Sequence, residues 1–95
     1  MEDNEIRVGR KNFITYVKGV ETVFANNKDL KEVLIKARGQ SINKAVDLAT
    51  SITRHDFCKD LKLKLLSVNI GSSEREVEGR DKPLMVSNIE ITLSK

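Results

Sequence analysis

The sequence predicts a single α/β domain with the element order β-α-β-α-β-β, ending in a long hairpin. Two segments carry apolar residues at three- and four-residue spacing, and each follows a short alternating segment. The last third alternates twice, on either side of a polar loop. A length of 95 residues fits one domain, 1–95, with no repeat or linker. Apolar residues at 39% against charged residues at 33% describe a folded soluble chain rather than a disordered one.

Ile6 and Val8 alternate with Glu5 and Arg7, which predicts a first strand. Gly9 to Asn12 form a turn, with Asn12 suited to cap the helix that follows. Phe13, Tyr16, Val17, Val20, Val23 and Phe24 mark the buried face of that helix, which ends near Asn26. Val33, Ile35 and Ala37 define a second strand with a basic end. Gly39 allows a sharp turn, and Ser41 is expected to cap a second helix along Ile42, Ala45, Val46, Ala49 and Ile52. These small side chains are expected to let another element approach closely, and with the hairpin base to form a two-fold interface.

The hairpin changes its apolar phase on both strands. Leu61, Leu63 and Leu65 give way to Leu66, Val68 and Ile70, and Leu84 and Val86 to Ile89, Ile91 and Leu93. A one-residue slip reverses the face of every side chain, so each strand is expected to carry a bulge or change its packing partner. The base, 61–65 with 89–93, is assigned to the core and the outer half departs from it.

Charge is segregated along the chain. The windows 6–20 and 33–46 contain no acidic residue but hold Arg7, Arg10, Lys11, Lys18, Lys36, Arg38 and Lys44. Removing those seven from the seventeen basic residues leaves ten against fourteen acidic ones. One positive face, suited to a polyanion, is the expectation. Chance clustering on solvated surfaces is the competing reading. No apolar run approaches the ~20 residues of a membrane span, so no membrane partner is expected. The acidic start, Met1 to Glu5, does not resemble a secretory signal and suggests an intracellular protein. A lone Cys58 excludes an internal disulfide.

Catalytic and metal signals are thin. His55, Asp56 and Cys58 offer at most three ligands where a structural zinc takes about four, so neither a metal nor a catalytic site is expected, nor any cofactor. Gly39-Gln40-Ser41 is neither a P-loop nor a dinucleotide fingerprint. Phe13, Tyr16 and Phe24 lie on the periodic helix face and are assigned to the core, which disfavours a base-stacking reader. A nuclease and a purely protein-binding module are the rival classes. A backbone binder of nucleic acid is preferred.

From Ile35-Lys36-Ala37-Arg38-Gly39 through Ile42-Asn43-Lys44-Ala45-Val46-Asp47, the sequence resembles the strand-turn-helix signature of the Alba family of archaeal chromatin and RNA-binding proteins. Val8-Gly9-Arg10-Lys11 with Tyr16-Val17 is similar to that family's basic loop and following helix. Leu63 to Ser72 and Val86 to Ile91 resemble its last two strands.

The resemblance implies an α+β sandwich: a mixed four-stranded sheet, two helices on one side and a long hairpin arm. It implies sequence-nonspecific binding of double-stranded DNA and RNA by a homodimer, with higher-order assembly on nucleic acid and compaction or protection of chromosomal DNA in the cytoplasm. An RNA-directed role, in stability or processing, is the alternative. Arg10, Lys11, Lys36 and Arg38 match the family's binding positions, and Phe57 an apolar residue used between dimers. Lys44, from the second acid-free window, and Arg75, Arg80 and Lys82, from the arm loop, complete the candidate set. The family's acetylated lysine corresponds to Arg10, which cannot be acetylated in that way, so Lys11 becomes the modification candidate. Glu74, Glu76, Glu78 and Asp81 in the arm loop are expected to weaken the arm's pull on phosphates.

Overall fold

The computed structural model describes residues 4–54, 57, 59–79 and 81–95. The elements are β1 (Glu5–Arg7), α1 (Phe13–Asn26), β2 (Glu32–Arg38), a 3-10 turn (Gly39–Ser41), α2 (Ile42–Thr53), a second 3-10 turn (Lys59–Leu61), β3 (Lys64–Arg75) and β4 (Leu84–Ser94). The strands form one sheet in the order β1-β2-β4-β3, with β1 parallel to β2 and the other pairs antiparallel. This is the mixed four-stranded sheet with two helices that the sequence led us to expect.

Register explains the core. Ile6 lies opposite Ile35, and Val33, Ile35 and Ala37 lie opposite Leu93, Ile91 and Ile89. Paired residues point to the same side, so one sheet face collects these buried side chains. Val17, Val20 and Phe24 of α1 and Leu48 and Ile52 of α2 pack on that face. Ile35, Leu48, Ile52, Leu63 and Leu93 are fully buried, each contributing roughly 1.5–3 kcal/mol of hydrophobic stabilisation.

Both helix starts differ from expectation in their capping chemistry. Asn12 occupies the N-cap position of α1, with its carbonyl accepting from the Thr15 amide, but its side chain makes no capping bond. Ser41 is already helical (φ −83°, ψ −6°) and does not cap α2; the 3-10 turn runs straight into the helix. Gly39 adopts φ +59°, the left-handed conformation that a side chain disfavours.

Helix α2 also turns differently from the reading by small residues. Its buried face is Ala45, Leu48, Ala49 and Ile52, while Val46 is exposed. Leu48 belongs to the same helical stripe as Ala45 and Ala49, one turn apart, whereas Val46 lies a residue off it. The alanines therefore seat α2 on its own sheet. The hairpin base is likewise used internally, through Leu63 and Leu93.

The phase switches in the hairpin have two different causes. On β3 the register slips between Leu65 and Ser67, which pair with Leu93 and Thr92, making Leu66 the extra residue of a bulge. The bulge keeps Val68 opposite Ile91 and Ile70 opposite Ile89, on the helix-bearing face. β4 has no register shift; Leu84 and Val86 alternate away from Ile89, Ile91 and Leu93 onto the opposite face. The first switch is thus a bulge and the second a change of face.

Candidate nucleic-acid interface

Three pieces of chain build a concave surface beside the helix-free sheet face. The loop Gly9–Lys11 between β1 and α1 forms one wall, and the end of β2 with its 3-10 turn supplies the floor. The inner part of the hairpin arm, from Ser73 and Arg75 to Val86 and Asn88, forms the other wall. Gly39 sits at the junction, where a Cβ would stand 3.7 Å from Val86.

Six of the eight candidate residues line this groove: Arg10, Lys11, Lys36, Arg38, Lys44 and Arg75. Lys82 does not. It borders a separate shallow depression at the arm tip with Glu76, Glu78 and Asp81. Arg80 lies outside the described residues, as do His55, Asp56 and Cys58. Among the described residues, no group of three or more His, Cys, Asp or Glu side chains could hold a metal ion. No helix is long and apolar enough to cross a membrane among those residues.

Arg7, counted in the first acid-free window but left out of the candidate binding residues, is a seventh cation in the groove. Its alternation with Ile6 and Val8 turned it away from the core, a signal visible in the sequence. Its parallel pairing with Lys36 was not visible, because register is a long-range property.

The groove is not uniformly positive. The Lys36 ammonium, half-buried, donates to Glu5 at 3.0 Å and stands 3.6 Å from Glu90, while Arg7 lies 3.9 Å from Glu5. The hydrogen bond to Glu5 raises the Lys36 pKa above its ordinary value; burial and Arg7 oppose this, and the charges of Glu5 and Glu90 reinforce it. Glu5 lies one residue outside the first acid-free window, and Glu90 arrives from β4 as the cross-strand neighbour of Lys36.

Lys44 is half-buried at the groove's edge. Its ammonium donates to the carbonyl oxygens of Gly9 at 3.2 Å and Lys11 at 2.8 Å, 5.9 Å from the centroid of the Tyr16 ring. The Tyr16 hydroxyl accepts from the amides of Gly9 at 2.8 Å and Lys11 at 3.0 Å. Arg10, Lys11 and Arg38 are exposed.

The aromatic residues expected in the core are there: Tyr16 and Phe24 are buried and Phe13 is partly so. Phe57 is half-buried, with its ring centroid 6.0 Å from that of Phe13. It therefore presents only part of its surface to any neighbour. Such a groove can bind an extended polyanion through point charges, without stacking bases on exposed rings.

Comparison with known proteins gives a consistent result. A family model described as Alba matches residues 4–57, more than half of the chain. The DNA/RNA-binding protein Alba of Thermoplasma acidophilum is 43% identical over 94 residues, covering 99% of this chain and 98% of its own. The DNA/RNA-binding protein Alba 1 of Archaeoglobus fulgidus is 38% identical over 95 residues, covering 100% and 99%. Among solved structures, Alba from Thermoplasma volcanium superposes with a TM-score of 0.77 at 41% identity, covering 97% of this chain and all of that one. ALBA1 from Trypanosoma brucei shares the fold, with a TM-score of 0.70 at 23% identity, covering all of this chain and 71% of that one.

Proposed function

The chain belongs to the Alba family, and on that premise we propose that it binds double-stranded DNA and RNA through the basic groove, with little sequence preference. The observation that carries this reading is the convergence of Arg7, Arg10, Lys11, Lys36, Arg38 and Arg75 on one concave surface. Relatives about 40% identical over nearly the full length are named DNA/RNA-binding proteins, which supports both partners.

The mechanism is electrostatic. Lysine and arginine side chains replace counterions condensed on the phosphate backbone, and their release drives association. These contacts position the protein but read no base, so unrelated duplexes bind alike. No reaction is part of this function, and no cofactor is required. The protein acts at the chromosome, within the cytoplasm, by compacting or protecting DNA.

The working unit is a homodimer that assembles further on nucleic acid. Support comes from apolar side chains on the helix-bearing face of the arm, where Val68, Ile70 and Met85 are exposed. A row of this kind is the surface a second copy would bury. Two grooves per dimer double the phosphates engaged.

The test is a titration of random-sequence duplex against salt. If a dimer neutralises about six to ten phosphates, affinity falls by about 10³–10⁵ between about 50 and 200 mM salt. A flat salt dependence overturns the mechanism. Sequencing the nucleic acid that copurifies from the protein's own cells decides the balance of DNA and RNA.

A further inference from the structure

The loop between β1 and α1 is closed by four hydrogen bonds from only two side chains. The Tyr16 hydroxyl accepts from both amides, Gly9 at 2.8 Å and Lys11 at 3.0 Å. The Lys44 ammonium donates to both carbonyls, Gly9 at 3.2 Å and Lys11 at 2.8 Å. The backbone donor and acceptor of each residue flanking Arg10 are thereby occupied. Tyr16 is buried in the face of α1 that carries Val17 and Val20, so its hydroxyl is anchored to the core. Lys44 comes from the first turns of α2, the other helix, and its cation lies 5.9 Å from the centroid of the Tyr16 ring, whose face attracts it.

This arrangement changes what Lys44 does. An exposed lysine offers three N–H donors to a phosphate; here two partners are carbonyls of the protein itself. Lys44 also spends its charge on two carbonyl dipoles and a ring face rather than projecting it into the groove.

We propose that Tyr16 and Lys44 are positioning residues, a two-sided clamp that holds the Gly9–Lys11 backbone so that Arg10 and Lys11 are presented to phosphate already ordered. Lys44 acts on the polyanion through the loop and not as a phosphate ligand. A loop held this way gives up little conformational freedom on binding, which is where its contribution to affinity arises. Because the backbone groups of Gly9 and Lys11 are engaged, the loop's contacts to nucleic acid are then made by the Arg10 and Lys11 side chains. The proposal rests on the nucleic-acid-binding reading, and its test has one arm that needs no nucleic acid.

That arm is amide hydrogen exchange on the free protein. Tyr16→Phe keeps the ring in the core and removes only the hydroxyl, so the Gly9 and Lys11 amides lose their acceptor. Their exchange is expected to accelerate by about tenfold or more while amides in β2 and β4 stay protected. Unchanged exchange at both positions overturns the clamp.

The second arm is duplex binding in a double-mutant cycle. Tyr16→Phe and Lys44→Met are each expected to weaken binding by roughly threefold to tenfold, the range for loss of one or two net hydrogen bonds. In an Arg10→Ala/Lys11→Ala background neither is expected to weaken it further, because the side chains they position are gone. If Lys44→Met instead costs the same in both backgrounds and lowers the salt slope by about one unit per protomer, Lys44 is a phosphate ligand and the proposal falls. A wild-type protein that fails to bind at low salt overturns the nucleic-acid reading together with the clamp's role in it. Binding wild type with additive losses overturns the clamp alone.

Discussion

The Lys36 ammonium donates to the Glu5 carboxylate across 3.0 Å, an ion pair inside the surface that the charge distribution marks as purely basic. Glu5 occupies a place at Lys36 that a phosphate oxygen would need. The neutral isostere Glu5→Gln should therefore raise duplex affinity, and increase the magnitude of the salt slope by up to about one unit per protomer. Stability should change little, because the pair is partly exposed and screened by water. Salt titrations of wild type and variant by fluorescence anisotropy measure the first effect, and thermal unfolding the second. Weaker binding by Glu5→Gln would show that Glu5 orders Lys36 for phosphate rather than competing with it.

The same pair has a pH signature. Glu5 holds the Lys36 pKa above its ordinary value, so Lys36 keeps its charge to higher pH in the folded chain. A raised folded-state pKa means that the pair's contribution to stability is complete below the unfolded lysine's pKa. It is lost as pH rises through the folded value. In an alkaline NMR titration the Lys36 side chain should titrate above the ordinary lysine range, returning toward it in Glu5→Gln. An unchanged midpoint in the variant would remove Glu5 as the cause.

Position within the groove ranks the cations. Lys11 and Arg38 are exposed on the body, Arg75 lies where the arm joins the groove, and Lys82 borders three carboxylates at the tip. Alanine at Lys11 or Arg38 should weaken binding most and lower the salt slope by about one unit for each phosphate no longer neutralised. Arg75→Ala should have a smaller effect and Lys82→Ala the smallest. Larger losses from Arg75 and Lys82 than from Lys11 and Arg38 would place the binding surface on the arm.

Assembly is probed at Ile70, whose side chain is 82% exposed although its neighbour across the strand, Ile89, is buried. Among the described residues, little covers it. Ile70→Glu should leave the fold intact, because the side chain stands outside the core, and convert a dimer into monomers in light scattering. A dimer that survives the substitution would put the two-fold interface elsewhere.

Phe57 divides between two roles. Its ring stacks obliquely against Phe13 and is partly buried, so Phe57→Ala should lower stability by about 1 kcal/mol through the aromatic pair. If its remaining exposed surface also joins neighbouring dimers, the variant should coat long DNA less cooperatively while binding short duplexes as before. Unchanged cooperativity with lowered stability assigns Phe57 to the core alone.

The elements and their order were legible in the amino-acid sequence. Alternation in Val33, Ile35 and Ala37, the helical spacing of Tyr16, Val17, Val20 and Phe24, and the turn at Gly39 are local signals, readable within a few residues. Most of the groove's cations were legible too, because Arg10, Lys11, Lys36 and Arg38 come from short acid-free stretches. What those cations meet was settled by packing and pairing. Strand pairing set Glu5 and Glu90 beside Lys36, and helix packing turned the Lys44 ammonium back onto the Gly9–Lys11 carbonyls. It also turned Ala45 and Ala49 inward and left Val46 exposed. The cause is range. Periodicity reports which side of its own element a residue takes, whereas a charge is felt over several ångströms, by groups that register and packing bring close from anywhere in the chain.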